Sequence, residues 1–301
     1  MSVSSRLTEV FESAETLEFD DSSKIICFSD CHRGDNSWAD DFAHNQTLFF
    51  YALRYYYEAG FTYIELGDGD ELLENRSFTT IQQAHSHIYW LLHQFYIDNR
   101  FHLLFGNHNI QWKDPQNVEK YLNSYYDDRE RERKPLFEGI KVHEGLKLRH
   151  ADTGHQLFLV HGHQGDFMSD TAWRLGAFSV RHVWRHLQIV GLHDPTSPAQ
   201  NFKKRGKVEN GIITWIQQHR QPTICGHTHR SMLHEPDPDL PPYFNTGSCV
   251  HPRCITGVEI MGGQILLSKW WLAPNPQGLI KVSREELAGP YLLRDYFENN
   301  A

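Results

Sequence analysis

Lys24-Ile-Ile-Cys-Phe-Ser29 is an apolar run that breaks abruptly into Asp30-Cys31-His32. Such a run reads as a buried strand with a functional loop at its C-terminal end. The same design recurs twice. Tyr63-Ile-Glu-Leu66 ends in Gly67-Asp68, and Phe101-His-Leu-Leu-Phe105 ends in Gly106-Asn107-His108. Residues 42–59 and 78–99 between them have helical patterning, with Gly60 as a helix stop. The first hundred residues therefore read β-loop-α-β-loop-α-β. That alternation implies an α/β sheet with sites beyond the strand ends.

Outward from this core, residues 6–17 suit a short amphipathic helix. The mixed-charge run at 127–134 (DDRERERK) reads as a solvated helix end or loop. Residues 141–150 and 156–160 read as strands joined at Asp152-Thr-Gly154, a hairpin turn signal. Residues 168–220 are largely helical in pattern. Strand patterning returns at 223–225, 243–246 and 255–260, and Gly262-Gly263 marks a hairpin before 265–272. The second half thus reads as mainly antiparallel, interrupted by a helical insertion. Residues 283–299 read as a closing helix interrupted near Gly289-Pro290. No repeat or Pro-rich linker divides the chain, so a single domain over residues 1–301 is expected.

Composition narrows the function. The 301 residues carry 29 Lys and Arg against 38 Asp and Glu, a formal net charge of -9. A general nucleic-acid binder needs a basic surface, so that class is disfavoured. The five cysteines are odd in number and form no C-x-x-C pair, which suits a reducing compartment rather than a disulfide framework. The first 21 residues lack the apolar core of a signal peptide, and no stretch is apolar enough to span a bilayer. A cytoplasmic protein with no transmembrane segment is expected. The outlier is histidine, at 20 residues. Histidine is the commonest protein metal ligand and the usual acid or base near neutral pH, so position decides what the excess means.

Five clusters follow strand-like runs: Asp30-Cys-His32, Gly67-Asp68, Gly106-Asn107-His108, His161-Gly-His163 and Gly226-His227-Thr-His229. Each offers oxygen or imidazole ligands at the same place in its local pattern. Strand residues two apart share a face, so Asp30 with His32, and His227 with His229, can point into one site. His161-Gly-His163 alone would also suit an amidohydrolase barrel or a metallo-β-lactamase-like site. The run His161-Gly-His163-Gln-Gly-Asp166-Phe167 misses the H-x-H-x-D-H that the latter needs. The antiparallel second half argues against eight βα units.

As an ordered set, these clusters resemble the calcineurin-like metallophosphoesterase superfamily. The family pattern is D-x-H, G-D-x-x-(D/E/N), G-N-H-(D/E), H-G-(H/D) and G-H-x-H. Here it is met by Asp30-Cys-His32, Gly67-Asp68-Gly-Asp-Glu71, Gly106-Asn107-His108-Asn109, His161-Gly-His163 and Gly226-His227-Thr-His229, spanning residues 24–260. The resemblance implies a four-layer αββα sandwich of two mixed sheets, with the site at the strand ends. It implies two divalent ions, Mn first, with Fe, Zn or Co as alternatives. Asp30, His32, Asp68 and His229 would hold one ion. Asp68 would bridge, and Asn107, His161 and His227 would hold the other. A hydroxide bridging two ions roughly 3.5–4 Å apart would attack phosphorus in line with the leaving oxygen. His108 would sit outside the metal shell and protonate that oxygen or stabilise its charge.

Departures from the pattern set further expectations. The family has an acid after this His, and here it is Asn109. An Asn can orient the ring but cannot stabilise an imidazolium by charge, so a weaker general acid and a preference for good leaving groups are expected. Arg33, His163 and Asn109 are candidate substrate contacts, with His163 alternatively supporting the metal site, and Glu71 is a supporting residue. Cys31 alternates away from the site and reads as a core thiol. The layout is nearest the UDP-2,3-diacylglucosamine hydrolase-like branch, with its G-D-x-x-E motif and a helical insertion, here about residues 166–220, capping the site. That branch has Arg after G-N where this chain has His108.

The insertion is locally basic (Arg174, Arg181, Arg185, Lys203, Lys204, Arg205, Lys207) and has an apolar side (Trp173, Phe178, Trp184, Leu187, Ile189, Val190). The bases either attract a phosphorylated substrate or form a solvated face, and most of the aromatics dock the insertion on the sandwich. The leading expectation is therefore a hydrolase of a phosphomonoester, phosphodiester or pyrophosphate. A non-catalytic metal-binding scaffold on the same fold is the alternative, weakened because all seven ligand positions are filled. A structural or storage zinc protein is a third, weakened because its ligands usually come as local pairs.

Overall fold

The computed structural model describes residues 2–127, 130–165 and 202–298. The strand-like runs form strands where the sequence places them. They are β2 (Lys24–Phe28), β3 (Thr62–Leu66), β4 (Phe101–Leu104), β9 (Gln156–Val160) and β10 (Thr223–Cys225). Together with β1 (Glu15–Phe19), β7 (Val142–His143), β8 (Gly145–His150), β11 (Tyr243–Asn245), β12 (Cys254–Met261), β13 (Gln264–Pro274) and β14 (Ile280–Leu292) they build two mixed sheets. One has the order β1-β8-β9-β10-β11, the other β14-β13-β12-β2-β3-β4-β7. A separate hairpin joins β5 (Ser124–Asp127) to β6 (Glu132–Pro135).

Side-chain alternation makes the layers. Ile25 and Cys27 of β2 meet Leu157 and Leu159 of β9 in a core between the sheets. Ile26 and Phe28 point the other way, into a core shared with α2 (Gln46–Glu58), α3 (Phe78–Ala84), α4 (Ser86–Ile97) and α5 (Pro115–Leu122). Phe158 and Val160 pack beneath α1 (Val3–Ser13) and α6 (Phe202–His219). The result is helices, sheet, sheet, helices, as an α/β sandwich requires. Each fully buried Leu, Ile or Phe contributes about 1.5–3 kcal/mol, so three such cores hold the layers together.

Several sequence expectations are corrected. Residues 15–17 are not helical: Glu15–Phe19 pairs in parallel with β8. The helical pattern at 78–99 is two helices, α3 and α4, broken at His85. The charge run supplies β6 rather than a helix end or loop. The second half is mainly antiparallel as expected, through β8 with β9 and β12 with β13 and β14, but β9, β10 and β11 run parallel to one another. The closing segment is the long strand β14, with only the short α7 (Asp295–Glu298) after it. Ten register pairs with β13 override its mixed local propensity.

Residues 166–201 of the expected insertion lie outside the described residues, and so do the side chains of Lys203, Lys204 and Arg205. Its closing helix, α6, is described. Among the described residues no helix is long and apolar enough to cross a membrane.

Candidate metal centre

Neighbouring parallel strands end at the same edge, which gathers the motif loops. β2, β3 and β4 are adjacent in one sheet and bring Asp30, His32, Asp68 and Asn107. β9 and β10 are adjacent in the other and bring His161, His227 and His229. Backbone hydrogen bonds continue past the strand ends: Asp30 N donates to Gly67 O at 3.1 Å, His32 N to Asp68 O at 2.8 Å and Gly226 N to His161 O at 2.9 Å. Five residues here adopt positive φ: Asp30 (53°), His32 (49°), Asp68 (51°), His227 (64°) and His229 (54°). Each such conformation costs about 1–3 kcal/mol and persists only where the surroundings enforce it. Their clustering marks the site independently of residue chemistry. A Cβ at Gly106 would collide with the Asp68 carboxylate, so the close approach of these loops requires glycine there.

Among the described residues three groups able to hold an ion result, two made of expected metal ligands and a third, His32-Glu71-His108, that shares His32 with the first. In the first, Asp30, His32 and His229 converge. The Nε2 atoms of His32 and His229 face each other at 3.2 Å, and Asp30 Oδ1 lies 3.1 Å from His229 Nε2 and 3.7 Å from His32 Nε2. Asp30 Oδ2 accepts from His227 N at 2.9 Å and from Ser29 Oγ, which leaves Oδ1 directed at the imidazoles. In the second, Asp68, His161 and His227 converge. His161 Nδ1 donates to Leu66 O at 2.9 Å, which turns Nε2 toward Asp68 Oδ2, also at 2.9 Å. Asp68 Oδ1 accepts from His108 N at 2.7 Å.

The donor atoms fit divalent ions. Asp30 Oδ1 and Asn107 Oδ1 are buried acceptors that receive no well-aligned hydrogen bond among the described residues. Buried acceptors of this kind are rare and call for an ion or water. Carboxylate, amide oxygen and imidazole suit first-row divalent metals.

Glu71 joins two imidazoles. Its Oε2 accepts from His32 Nδ1 at 2.8 Å and from His108 Nδ1 at 2.6 Å. Asn109 does not hold the His108 ring: its Oδ1 accepts from Gly106 N at 2.7 Å, and the residue is fully buried. His108 nonetheless has a carboxylate partner, Glu71. The partner comes from the G-D-x-x-E motif instead of the next residue.

Electrostatics bind the cluster together. Burial pushes the Asp68 carboxyl up, but His161 and His108 outweigh it and hold it well below the usual range. Burial likewise opposes ionisation of Asp30, and His229 and His161 reverse it. Glu71 is drawn down to about 2, against burial, by His108 and His32. His161 is pushed down by burial yet raised to about 9 by Asp68 and Asp30.

Arg33 is placed differently from the expected phosphate contact. It is 1% exposed, bound by both oxygens of Glu65 at 2.6 and 2.7 Å and by Asp70 Oδ1 at 3.0 Å. An arginine whose donors face two buried carboxylates is a structural ion pair and does not reach the cleft. Cys31 is a buried core thiol, as its alternation suggests. His163 is fully buried beside His161 and His227, with ring centroids 5.5 and 6.4 Å away. Neither of its ring nitrogens has a hydrogen-bond partner among the described residues. Ser29, which orients Asp30, was not anticipated. Its place immediately before the D-x-H motif was the available signal.

Fold and site together define an α/β sandwich whose strand ends gather His and Asp clusters able to bind metal. No family model and no curated protein matches the chain. Among solved structures, Vps29 from Chaetomium thermophilum is similar at a TM-score of 0.41 and 9% identity, over 89% of this chain and 97% of its own. A point mutant of a cold-active protein tyrosine phosphatase is similar at 0.40 and 14%, over 91% and 82%. Both are too distant to inform the site, whose description rests on this chain's own residues.

Proposed function

We propose that the chain is a calcineurin-like metallophosphoesterase that hydrolyses a phosphomonoester, phosphodiester or pyrophosphate bond. One observation carries the reading. Six of the seven residues assigned by motif order gather in two adjoining groups, Asp30-His32-His229 and Asp68-His161-His227, and the buried Asn107 oxygen is unsatisfied among the described residues. In this reading Asp30, His32, Asp68 and His229 hold one divalent ion, and Asp68, Asn107, His161 and His227 the other, Mn first. Such ions supply a nucleophilic water at neutral pH and neutralise phosphoryl charge.

The chain's own groups do the rest. The His108 Nδ1 proton is committed to Glu71, so the proton delivered to the leaving oxygen is the one on Nε2. The negative carboxylate favours the protonated ring until that transfer. His163 is assigned to the phosphate or to support of the second ion. Residues 166–220 are assigned as a cap within a single domain, in a cytoplasmic protein acting on an anionic phosphorylated substrate.

The test is hydrolysis of an aryl phosphate by the Mn-loaded protein, repeated with Asp68→Ala. Activity lost in the variant supports the reading, and an aryl monoester set against a bis-aryl diester narrows the bond. A folded protein that binds Mn yet stays inert on both would favour the scaffold reading.

A further inference from the structure

The loop carrying His227 and His229 is held by a carboxylate that belongs to none of the sequence motifs. Glu209 lies on α6, the helix leading out of the inserted segment, and is 6% exposed. Its Oε1 accepts from Thr228 Oγ1 at 3.1 Å, and its Oε2 accepts from Arg230 Nη1 at 3.2 Å. One side chain therefore grips the residues on either side of His229.

We propose that Glu209 is a positioning residue that sets how tightly the ion of the Asp30-His32-His229 cluster is held. The inference rests on the two-ion reading above. His227 and His229 have φ of 64° and 54°, a left-handed conformation that is uncommon for any residue but glycine. The sheet restrains only part of this loop: Asn245 Nδ2, from β11, donates to Gly226 O at 2.7 Å and to Thr228 Oγ1 at 3.2 Å. Beyond Thr228 the sheet takes hold again at Met232, whose N–H donates to Asn245 O at 2.9 Å, and Glu209 holds Arg230 in the stretch between. His229 is also the ligand least enclosed by its surroundings, with its side chain 21% exposed where Asp30 is fully buried. Losing the clamp frees His229 more than His227, whose own N–H is bonded to Asp30 Oδ2. The Arg230 side chain is 52% exposed, so its ion pair adds little to global stability and acts locally. Glu209 touches no proposed ligand and acts only through the loop.

The test is a Co2+ titration of the metal-free protein followed by visible absorption, which resolves the two binding steps by their ligand-field bands. In Glu209→Gln, the step assigned to Asp30-His32-His229 weakens by about tenfold or more while the other stays close to wild type. Thr228→Val reproduces the loss, and Thr228→Ser, which keeps the hydroxyl, restores wild-type binding. That pair carries the test if Glu209→Gln does not fold. Unchanged titration in both Glu209→Gln and Thr228→Val overturns the proposal, as does an equal loss at both steps. A wild-type chain that takes up no Co2+ overturns the two-ion reading itself.

Discussion

Glu71 Oε2 stands 2.6 Å from His108 Nδ1, across a separation of 37 residues. The pair gives His108 the carboxylate that Asn109 cannot supply. Burial pushes the His108 pKa down, but Glu71 and Asp68 raise it overall. A general acid works while protonated, so activity holds below that raised pKa and falls above it. In Glu71→Gln the basic limb of the pH profile moves to lower pH. Turnover of poor leaving groups drops by about a hundredfold, and activated aryl esters suffer less. Asn109→Asp leaves both the profile and the leaving-group dependence near wild type. A large effect of Asn109→Asp with none from Glu71→Gln would reverse the assignment.

Arg33 is part of the core. Removing one partner of a buried ion pair leaves an uncompensated charge, here on Glu65 and Asp70, at a cost of about 3–5 kcal/mol. Arg33→Ala is expected to lower the unfolding free energy of the metal-free protein, measured in urea, by that amount. A phosphate contact would instead raise KM with the urea midpoint unchanged.

Metal uptake is expected to release protons. His161 is raised to about 9 in the metal-free site, so at a pH of about 7.5 its imidazole is protonated. An ion that takes the ring nitrogen must displace that proton. Loading in weak buffer, followed by pH-stat, releases acid, and His161→Ala releases about one proton fewer. Stoichiometric uptake without acid release contradicts the charge state of the site.

His143 gives an acid-side dependence of stability. Burial depresses its pKa to about 4, from an unfolded value near 6.5. A depressed pKa means the neutral form is favoured by folding, so its contribution is complete above about pH 6.5 and is lost as pH falls toward about 4. The fall in Tm between about pH 7 and pH 5 is therefore smaller in His143→Gln than in wild type. Equal falls show that His143 is not held neutral by the fold.

The strand ends were legible in the sequence because each apolar run stops abruptly. β2, β4, β9 and β10 fall within a residue or so of their expected bounds. What stayed hidden depends on partners distant in the chain. Glu15–Phe19 is extended because β8 offers it a ladder, and nothing local excludes a longer first helix. Residues 280–292 are set by β13. Arg33 follows a proposed ligand and looks available to substrate, but Glu65 and Asp70, over thirty residues away, draw it inward. Glu71 was visible as a motif residue, and its hold on both His32 and His108 was not. Local spacing specifies which side chains leave a strand end. It does not specify which of them meet.

The central claim is two ions sharing Asp68. Anomalous diffraction from crystals grown with Mn2+ tests it most directly. The account expects two peaks roughly 3.5–4 Å apart. Asp30, His32 and His229 would flank one, Asn107, His161 and His227 the other, with Asp68 between them. A single peak, none, or peaks away from these residues would contradict it.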